Sequence, residues 1–276
     1  MCIRDSLSRI DRLLHMDAVS HTATFGAGVK GPQLEAQLNT AGYTLGHFPQ
    51  SFEQSTLGGW IATRSAGQQS YYYGRIEDRL AGVKVITPAG VLELPSLPAS
   101  AAGPDLRESV LGSEGRLGVI TQATVRVHPL PEQEAFYGLF FQDWDSGVTA
   151  VREMVQSGAP ASMLRLSDPQ ETETTLALSG KEGLVRIAGR GLGLLGFGGE
   201  RCLLIFGATG DDDSIRKARR QVVEIARRHS GLFTGSLIGE IWRKSRFRTP
   251  YLRNTLWENG YALDTLETAL PWSLIM

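Results

Sequence analysis

Cysteine is scarce in this chain: Cys2 and Cys202 are the two among 276 residues. No disulfide framework follows from so separated a pair, and a reducing compartment is the default. Neither sign of charge dominates, since 28 Lys and Arg face 29 Asp and Glu for a formal net charge of -1. That balance supplies no global field for nucleic acid or an anionic membrane, so any anion binding must be local. No run is long and apolar enough to span a bilayer, and Leu192 to Phe197 is short and broken by glycine. A secretory h-region is also lacking at the start. The five histidines, His15, His21, His47, His128 and His229, have no metal-ligand spacing, which argues against a metal site. No Gly-x-Ser-x-Gly elbow is present, so hydrolysis has no local support. Trp60, Trp144, Trp242, Trp257 and Trp272 lack the basic interleaving of a nucleic-acid platform, and core packing is their default.

What remains is a chain with 42% hydrophobic and 21% charged residues, a composition that folds and is long enough for two packed domains. His21 to Val29 alternates as a strand, and Gly31-Pro32 opens a helix carrying Leu34 and Leu38 on one face, with Gly42 as its stop. Val83 to Thr87, Pro88-Ala-Gly90 and Val91 to Leu94 read as a β-hairpin. Asp105 can cap a short helix through Leu111. The strand from Gly118 to Val127 runs into His128-Pro-Leu-Pro131, where prolines interrupt a ladder and a domain boundary is expected, dividing the chain into 1-128 and 129-276. Beyond it come a strand at Phe136 to Phe141, a helix capped by Asp145 and ended by Gly158, and a strand at Cys202 to Phe206. A long helix follows, capped near Asp213 or Ser214, with Ile215, Ala218, Val222, Ile225 and Ala226 as its stripe and Gly231 closing it. This succession predicts an α+β layer with helices on one face of a mostly antiparallel sheet.

Two segments carry chemistry. The run Pro49-Gln50-Ser51 to Ser55-Thr56-Leu57-Gly58-Gly59-Trp60 and on through Thr63-Arg64-Ser65 to Gly67 packs hydroxyls and a glycine pair into one stretch. Glycines let a backbone lie against a phosphate or flat ring, and Ser55, Thr56, Thr63 and Ser65 can donate to phosphate or carbonyl oxygens. Arg64, flanked by hydroxyls, suits a charge-assisted bond to phosphate, while a surface Arg is the plain alternative. A Gly/Ser/Thr loop between core elements is the bland account of the whole run. The second segment, Gly112-Ser-Glu114-Gly115-Arg-Leu117-Gly118-Val119-Ile120-Thr121, leads straight into a strand, and two such segments can close over one ligand.

These residues resemble the FAD-binding domain of the vanillyl-alcohol oxidase / p-cresol methylhydroxylase (PCMH-type) superfamily, and within it the alkyldihydroxyacetonephosphate synthase branch with its bacterial FAD-binding oxidase relatives. The text that carries the likeness is PQSFEQSTLGGWIATRSAG, YGRIEDRLAGVKVITPAG and AAGPDLRESVLGSEGRLGVITQATVRVHP, then APASMLRLSDPQET, PYLRNTL and LDTLETALPW. It covers most of the chain from about Thr22. The resemblance implies a PCMH-type FAD-binding domain over 1-128 and part of a substrate-covering α+β cap over 129-276. It implies FAD held non-covalently, with Glu114 to Ile120 beside the flavin. The activity implied is exchange of an acyl group for a fatty alcohol on dihydroxyacetone phosphate via a flavin adduct. An FAD-linked oxidase or dehydrogenase of D-2-hydroxy acids is the alternative within the superfamily, and a flavin-free binding module on the same scaffold is the alternative of another class. The Gly-rich pyrophosphate loop is expected before residue 1 and the family's Tyr and His cluster after residue 276, so a chain truncated at both ends, with no catalytic residue of its own, is expected. Gln50 stands where the family segment has an acidic residue, and Arg116 where the eukaryotic synthases carry a small hydroxyl residue.

Four further features complete the reading. Arg165 lies in an apolar strand-like stretch and, if buried, needs an anion: Asp168 or another carboxylate on the plain account, flavin-site support by the resemblance. Arg253 belongs to a basic cluster with Arg243, Lys244, Arg246 and Arg248; the first four are read as a solvated face, and the resemblance sets Arg253 near a phosphate-bearing substrate. Gly191-Leu-Gly-Leu-Leu-Gly196 matches G-x-G-x-x-G but has no following helix to receive a phosphate, so it reads as a connection. His229 lies where a positive charge suits a helix C-terminus. The expected partners are a small-molecule or lipid-phosphate substrate and no nucleic acid, with a homodimer open; the expected location is cytoplasmic, with peripheral contact to a membrane open.

Overall fold

The computed structural model describes residues 6–177, 192–193, 196–262 and 264–275. The chain forms two compact units, Met1–Leu130 and Pro131–Met276.

The first unit is built on a five-stranded sheet of β1 (Leu13–Asp17), β2 (Thr22–Gly26), β4 (Leu80–Thr87), β5 (Gly90–Leu94) and β6 (Val119–Arg126), in the order β1-β2-β6-β4-β5. Every pairing is antiparallel. Alternation decides which faces are buried: Ala23 and Phe25 on β2 and Ala123 and Val125 on β6 are at most 1% exposed. On the other face Thr24 and Thr124, directly opposite, share a hydroxyl bond of 2.8 Å. Helix α1 (Gly31–Thr40) starts with Pro near its first position and buries Leu34 and Leu38. Gly31 is required there because a Cβ would lie 2.4 Å from the Phe52 ring. Glu35, buried on α1, accepts from the backbone N–H groups of Leu45 and Gly46 and from Thr44 Oγ1, which satisfies a carboxylate that nothing in the sequence pattern marks.

The proline-rich end of β6 does not stop pairing. Strand β7 (His128–Pro129) makes a two-residue ladder with β3 (Tyr43–Thr44), and Leu130 N–H bonds Gly42 O at 2.8 Å. A pair this short tolerates one residue without a donor.

The second unit has a four-stranded antiparallel sheet of β8 (Gln133–Phe141), β9 (Met163–Ser167), β10 (Cys202–Gly210) and β11 (Leu232–Phe233), in the order β11-β8-β10-β9. Its helices are α6 (Trp144–Gln156), α7 (Pro169–Ala177), α8 (Asp212–Arg228), α9 (Leu237–Ser245) and α10 (Thr249–Glu258), following α2 (Leu57–Thr63), α3 (Ser70–Tyr73), α4 (Ile76–Arg79) and α5 (Arg107–Val110) of the first unit. The sheet is covered on both faces, contrary to the one-sided layer expected. Tyr137, Leu139, Phe141, Leu204 and Phe206 pack with Met154 of α6 and Val222 of α8, whereas Phe136, Phe140, Leu203 and Ile205 pack with Trp242 of α9. The continuous apolar run of β8 is the signature of a strand buried on both sides.

Two caps also differ from expectation. Asp143, not Asp145, caps α6 by accepting from Ser146 N–H, and Asp211, not Asp213 or Ser214, caps α8 by accepting from Ser214 N–H, each at 2.8 Å. The acceptor must stand three residues before the donor it satisfies, and the neighbouring Asp residues instead lie in the first turn, where the helix dipole favours them. At the other end of α8, Ser230 takes the left-handed φ of 58°. Gly231 follows because a Cβ would lie 2.8 Å from Ala226 O, to which its own N–H bonds.

Candidate functional site

The run from Pro49 to Gly67 folds around α2. Thr56 caps the helix through Gly59 N–H at 3.2 Å, Leu57 N–H bonds Val29 O, and Gly58 N–H bonds Ala27 O. The first-turn donors of α2 are therefore committed inside the protein. Gly58 is held to glycine by packing, since a Cβ would lie 3.0 Å from Ala27 Cβ. Gly59 is different: only Thr56 Oγ1 comes within 4 Å of its missing Cβ, at 3.2 Å. Most hydroxyls work internally. Ser55 Oγ accepts from the Trp60 indole at 2.6 Å and donates to Ser51 O, Ser51 Oγ donates to Ser55 Oγ, and Thr63 Oγ1 donates to Gly59 O. Pro49 is buried, with its carbonyl accepting from Phe52 N–H, and Gln50 is exposed.

The second segment lies directly alongside. Gly112 N–H bonds Ile61 O and Glu114 N–H bonds Ala62 O, both at 3.0 Å. Arg64 reaches Glu108 at 2.8 Å, both side chains about half exposed, so its guanidinium has a protein carboxylate as partner rather than standing free. Arg64 and Glu114 are two of the four non-glycine residues with left-handed φ among the described residues, at 51° and 48°. Such strain collects at ligand sites when the surroundings enforce it. Gly115 has φ 81° and open space where a Cβ would be, whereas at Gly118, φ 148°, a Cβ would lie 2.1 Å from Ile86 O.

From there an exposed apolar strip begins. Leu117 and Val119 are 39% and 49% exposed, and Ile120 turns inward at 7%. Val119 pairs with Ile86 of β4 and Ile86 with Val91 of β5, so three exposed apolar side chains stand in one row across three strands. The sequence reading missed Ile86 and Val91, because a single exposed apolar residue on a strand is ordinary until register aligns three. It missed His47 as well. Its imidazole is buried, hydrogen-bonds Ser65 Oγ through Nε2 at 2.7 Å, leaves Nδ1 without a partner, and is pushed down to about 4 by burial.

Arg165 and Arg253 lie in the second unit. Arg165 on β9 is 38% exposed and pairs with Glu171 of α7, not with Asp168, whose carboxylate accepts from Glu171 N–H at the start of that helix. It is not the buried Arg that its apolar neighbours suggested. Arg253 is exposed on α10 and makes no ion pair among the described residues. Of the four basic residues read as a solvated face, Arg246 instead lies over the rings of Phe136, Trp242 and Phe247, 4.8 to 5.8 Å from their centroids. His229 bonds Glu153 at 2.7 Å across the ends of α8 and α6. Gly191, Leu194 and Leu195 of the G-x-G-x-x-G match lie outside the described residues.

An α+β unit that joins two glycine segments along an open apolar strip presents a surface whose shape and polarity match a flat ring with polar edges. Residues 6–94 match the FAD binding domain family, and residues 130–276 match the C-terminal domain of FAD linked oxidases. The chain belongs to the FAD-linked oxidase family, and FAD is its cofactor. It is 35% identical over 274 residues to alkyldihydroxyacetonephosphate synthase of Dictyostelium discoideum, covering 97% of this chain and 45% of that protein. It is 33% identical over 224 residues to an uncharacterized FAD-linked oxidoreductase of Escherichia coli, covering 80% of this chain and 43% of that protein. A solved structure of alkyldihydroxyacetonephosphate synthase matches with a TM-score of 0.81 and 36% identity over 91% of this chain and 46% of that one. The chain thus spans about half the length of the relatives it matches. Among the described residues, no helix is long and apolar enough to cross a membrane.

The residues present fit a flavin. Gly115 leaves backbone bare just before the strip of Leu117 and Val119, Gly59 has only Thr56 Oγ1 near its missing Cβ, and His47 has an orphaned buried Nδ1 while its Nε2 bonds the Ser65 hydroxyl.

Proposed function

We propose that this chain supplies one wall of the FAD site, in residues 1-128, and part of a substrate-covering unit, in residues 129-276, of an enzyme acting as an alkyldihydroxyacetonephosphate synthase. The reaction is exchange: a fatty alcohol replaces the acyl group of acyl-dihydroxyacetone phosphate, a fatty acid leaves, and no net oxidation occurs. The observation that carries this reading is a likeness sustained through both units, 35% identity over 97% of the chain.

Bound FAD supplies the electron-accepting ring, and the polypeptide binds, orients and shields it. Leu117, Val119, Gly59 and Gly115 present the apolar and bare-backbone surface for the ring, with Ser65 offering a hydroxyl at its edge. Pro49 to Ser55 and Thr56 to Thr63 hold that surface in shape through their internal bonds. Arg253, exposed and without a carboxylate partner among the described residues, suits the phosphate of a lipid-phosphate substrate. Arg165 takes a supporting role, held through Glu171.

The test is product analysis of the full-length enzyme that contains these two units, loaded with FAD and given a labelled long-chain alcohol with acyl-dihydroxyacetone phosphate. Ether-linked product with release of fatty acid is expected. The E. coli relative favours a second reading, an FAD-linked oxidoreductase. Oxidation of D-2-hydroxy acids with reduction of an electron acceptor, and no ether product, would establish it instead. A colourless protein that takes up no FAD would leave a flavin-free binding module.

A further inference from the structure

The two ring nitrogens of His47 are treated unequally. Nε2 lies 2.7 Å from Ser65 Oγ, and Nδ1 has no hydrogen-bond partner although the residue is only 1% exposed. The Trp60 ring packs edge-on against the imidazole, with centroids 5.0 Å apart. Burial keeps the ring neutral at ordinary pH, so it carries one N–H, and the contacts decide where.

If Nδ1 carried the proton, a buried donor would be orphaned, the rarer and costlier kind of defect. With the proton on Nε2, the imidazole donates to Ser65 Oγ. The Ser65 proton then has no acceptor among the described residues, where Ser65 Oγ makes no other hydrogen bond.

We propose that His47 is a positioning residue, held as the Nε2–H tautomer, which fixes Ser65 as an outward-facing hydrogen-bond donor to an unprotonated oxygen of the bound FAD. The hydroxyls of Ser51, Ser55 and Thr63 donate to partners within the run, and Thr56 Oγ1 is engaged by the Gly59 N–H at the start of α2, so Ser65 is the hydroxyl whose proton a histidine donor sets free for the ligand. This rests on the FAD reading of the first unit.

The test has two arms. In the chain labelled with 15N-histidine, long-range 1H–15N spectra recorded without FAD should show His47, assigned by its loss in His47→Gln, with a protonated Nε2 and a bare Nδ1. A protonated Nδ1 overturns the proposal. In FAD titrations of the full-length protein followed by flavin fluorescence, Ser65→Ala and His47→Leu should each raise the Kd about tenfold, the loss of one hydrogen bond to a charged or polar acceptor. His47→Gln, which keeps a donor, should stay within about threefold of wild type. An unchanged Kd for Ser65→Ala also overturns the proposal. If His47→Leu does not fold, the spectrum of the wild-type chain and Ser65→Ala still decide. Failure of the full-length wild-type protein to take up any FAD would sink the flavin-site reading, and the tautomer would still decide the His47–Ser65 assignment.

Discussion

Glu114 donates its backbone N–H to the carbonyl of Ala62 at 3.0 Å while holding a left-handed φ of 48°. The residue is exposed, and its side chain makes no hydrogen bond among the described residues, so the conformation is enforced by backbone contacts to α2. The strain should therefore be removable. Glu114→Gly is expected to stabilise the first unit by up to about 1 kcal/mol, since a left-handed residue with a Cβ costs about 1–2 kcal/mol and glycine's entropy offsets part of that gain. Glu114→Pro, which removes the N–H and cannot adopt a positive φ, is expected to cost about 3 kcal/mol or more. Urea denaturation of the two variants separates these outcomes, and a Glu114→Gly variant less stable than wild type would give the side chain a role it lacks in this structure.

The glycines of the second segment divide in the same way. At Gly118 a Cβ would meet Ile86 O at 2.1 Å, so Gly118→Ala must displace β4 from β6 and is expected to cost about 3 kcal/mol or more, by thermal or urea unfolding. At Gly115 nothing lies within 4 Å, and only the positive φ opposes Ala, a cost of about 1–2 kcal/mol. Gly115→Ala should thus fold but bind FAD more weakly, because the methyl occupies the open side. Equal losses of stability in the two variants would contradict this division.

The outline of both units is legible in the sequence because hydrophobic period, hairpin turn and glycine stops are local signals. Val83 to Leu94, the stripe of α8 and the end of α1 at Gly42 all follow from such signals. What escaped is long-range or ambiguous by a residue or two. The need for glycine at position 58 comes from Ala27, a contact no local pattern encodes. In Asp143-Trp-Asp145 either carboxylate satisfies the capping rule until the helix start is fixed. A two-residue ladder such as β3 with β7 has no period to detect. At the site, the two glycine segments were readable as a pair, yet the destination of the hydroxyls was not: a serine that donates to a neighbouring carbonyl and one that faces a ligand look alike in sequence.

Arg165 and Arg253 offer a contrast within the second unit. Arg165 pairs with Glu171 where both are more than a third exposed, so Arg165→Ala should change stability by less than about 1 kcal/mol. Arg253→Ala should leave stability and FAD content unchanged and raise KM for a phosphate-bearing substrate. Loss of FAD from the Arg253 variant, read from its absorbance, would reassign that residue to the cofactor.

Acid should expose the burial of His47. Its folded value of about 4 lies below the ordinary 6.5, so between those limits the unfolded chain binds a proton that the folded chain does not. Stability therefore rises with pH across that window, and the contribution of His47 is lost as pH falls from about 6.5 to about 4; a shift of this size corresponds to about 3 kcal/mol. His128 is lowered in the same direction, by burial and then by the Arg79 charge, and adds to the slope. Glu153, Asp17, Asp105 and Asp211, all held below their ordinary values by hydrogen bonds, contribute stability above the ordinary carboxylate range and lose it in stronger acid. The histidine part is thus separable. Between pH 4 and 6.5, urea unfolding of wild type should steepen relative to His47→Gln, which cannot take up the proton, while the two curves run parallel above pH 7. Parallel curves throughout would mean that the imidazole titrates normally in the folded chain, and that its cavity admits water.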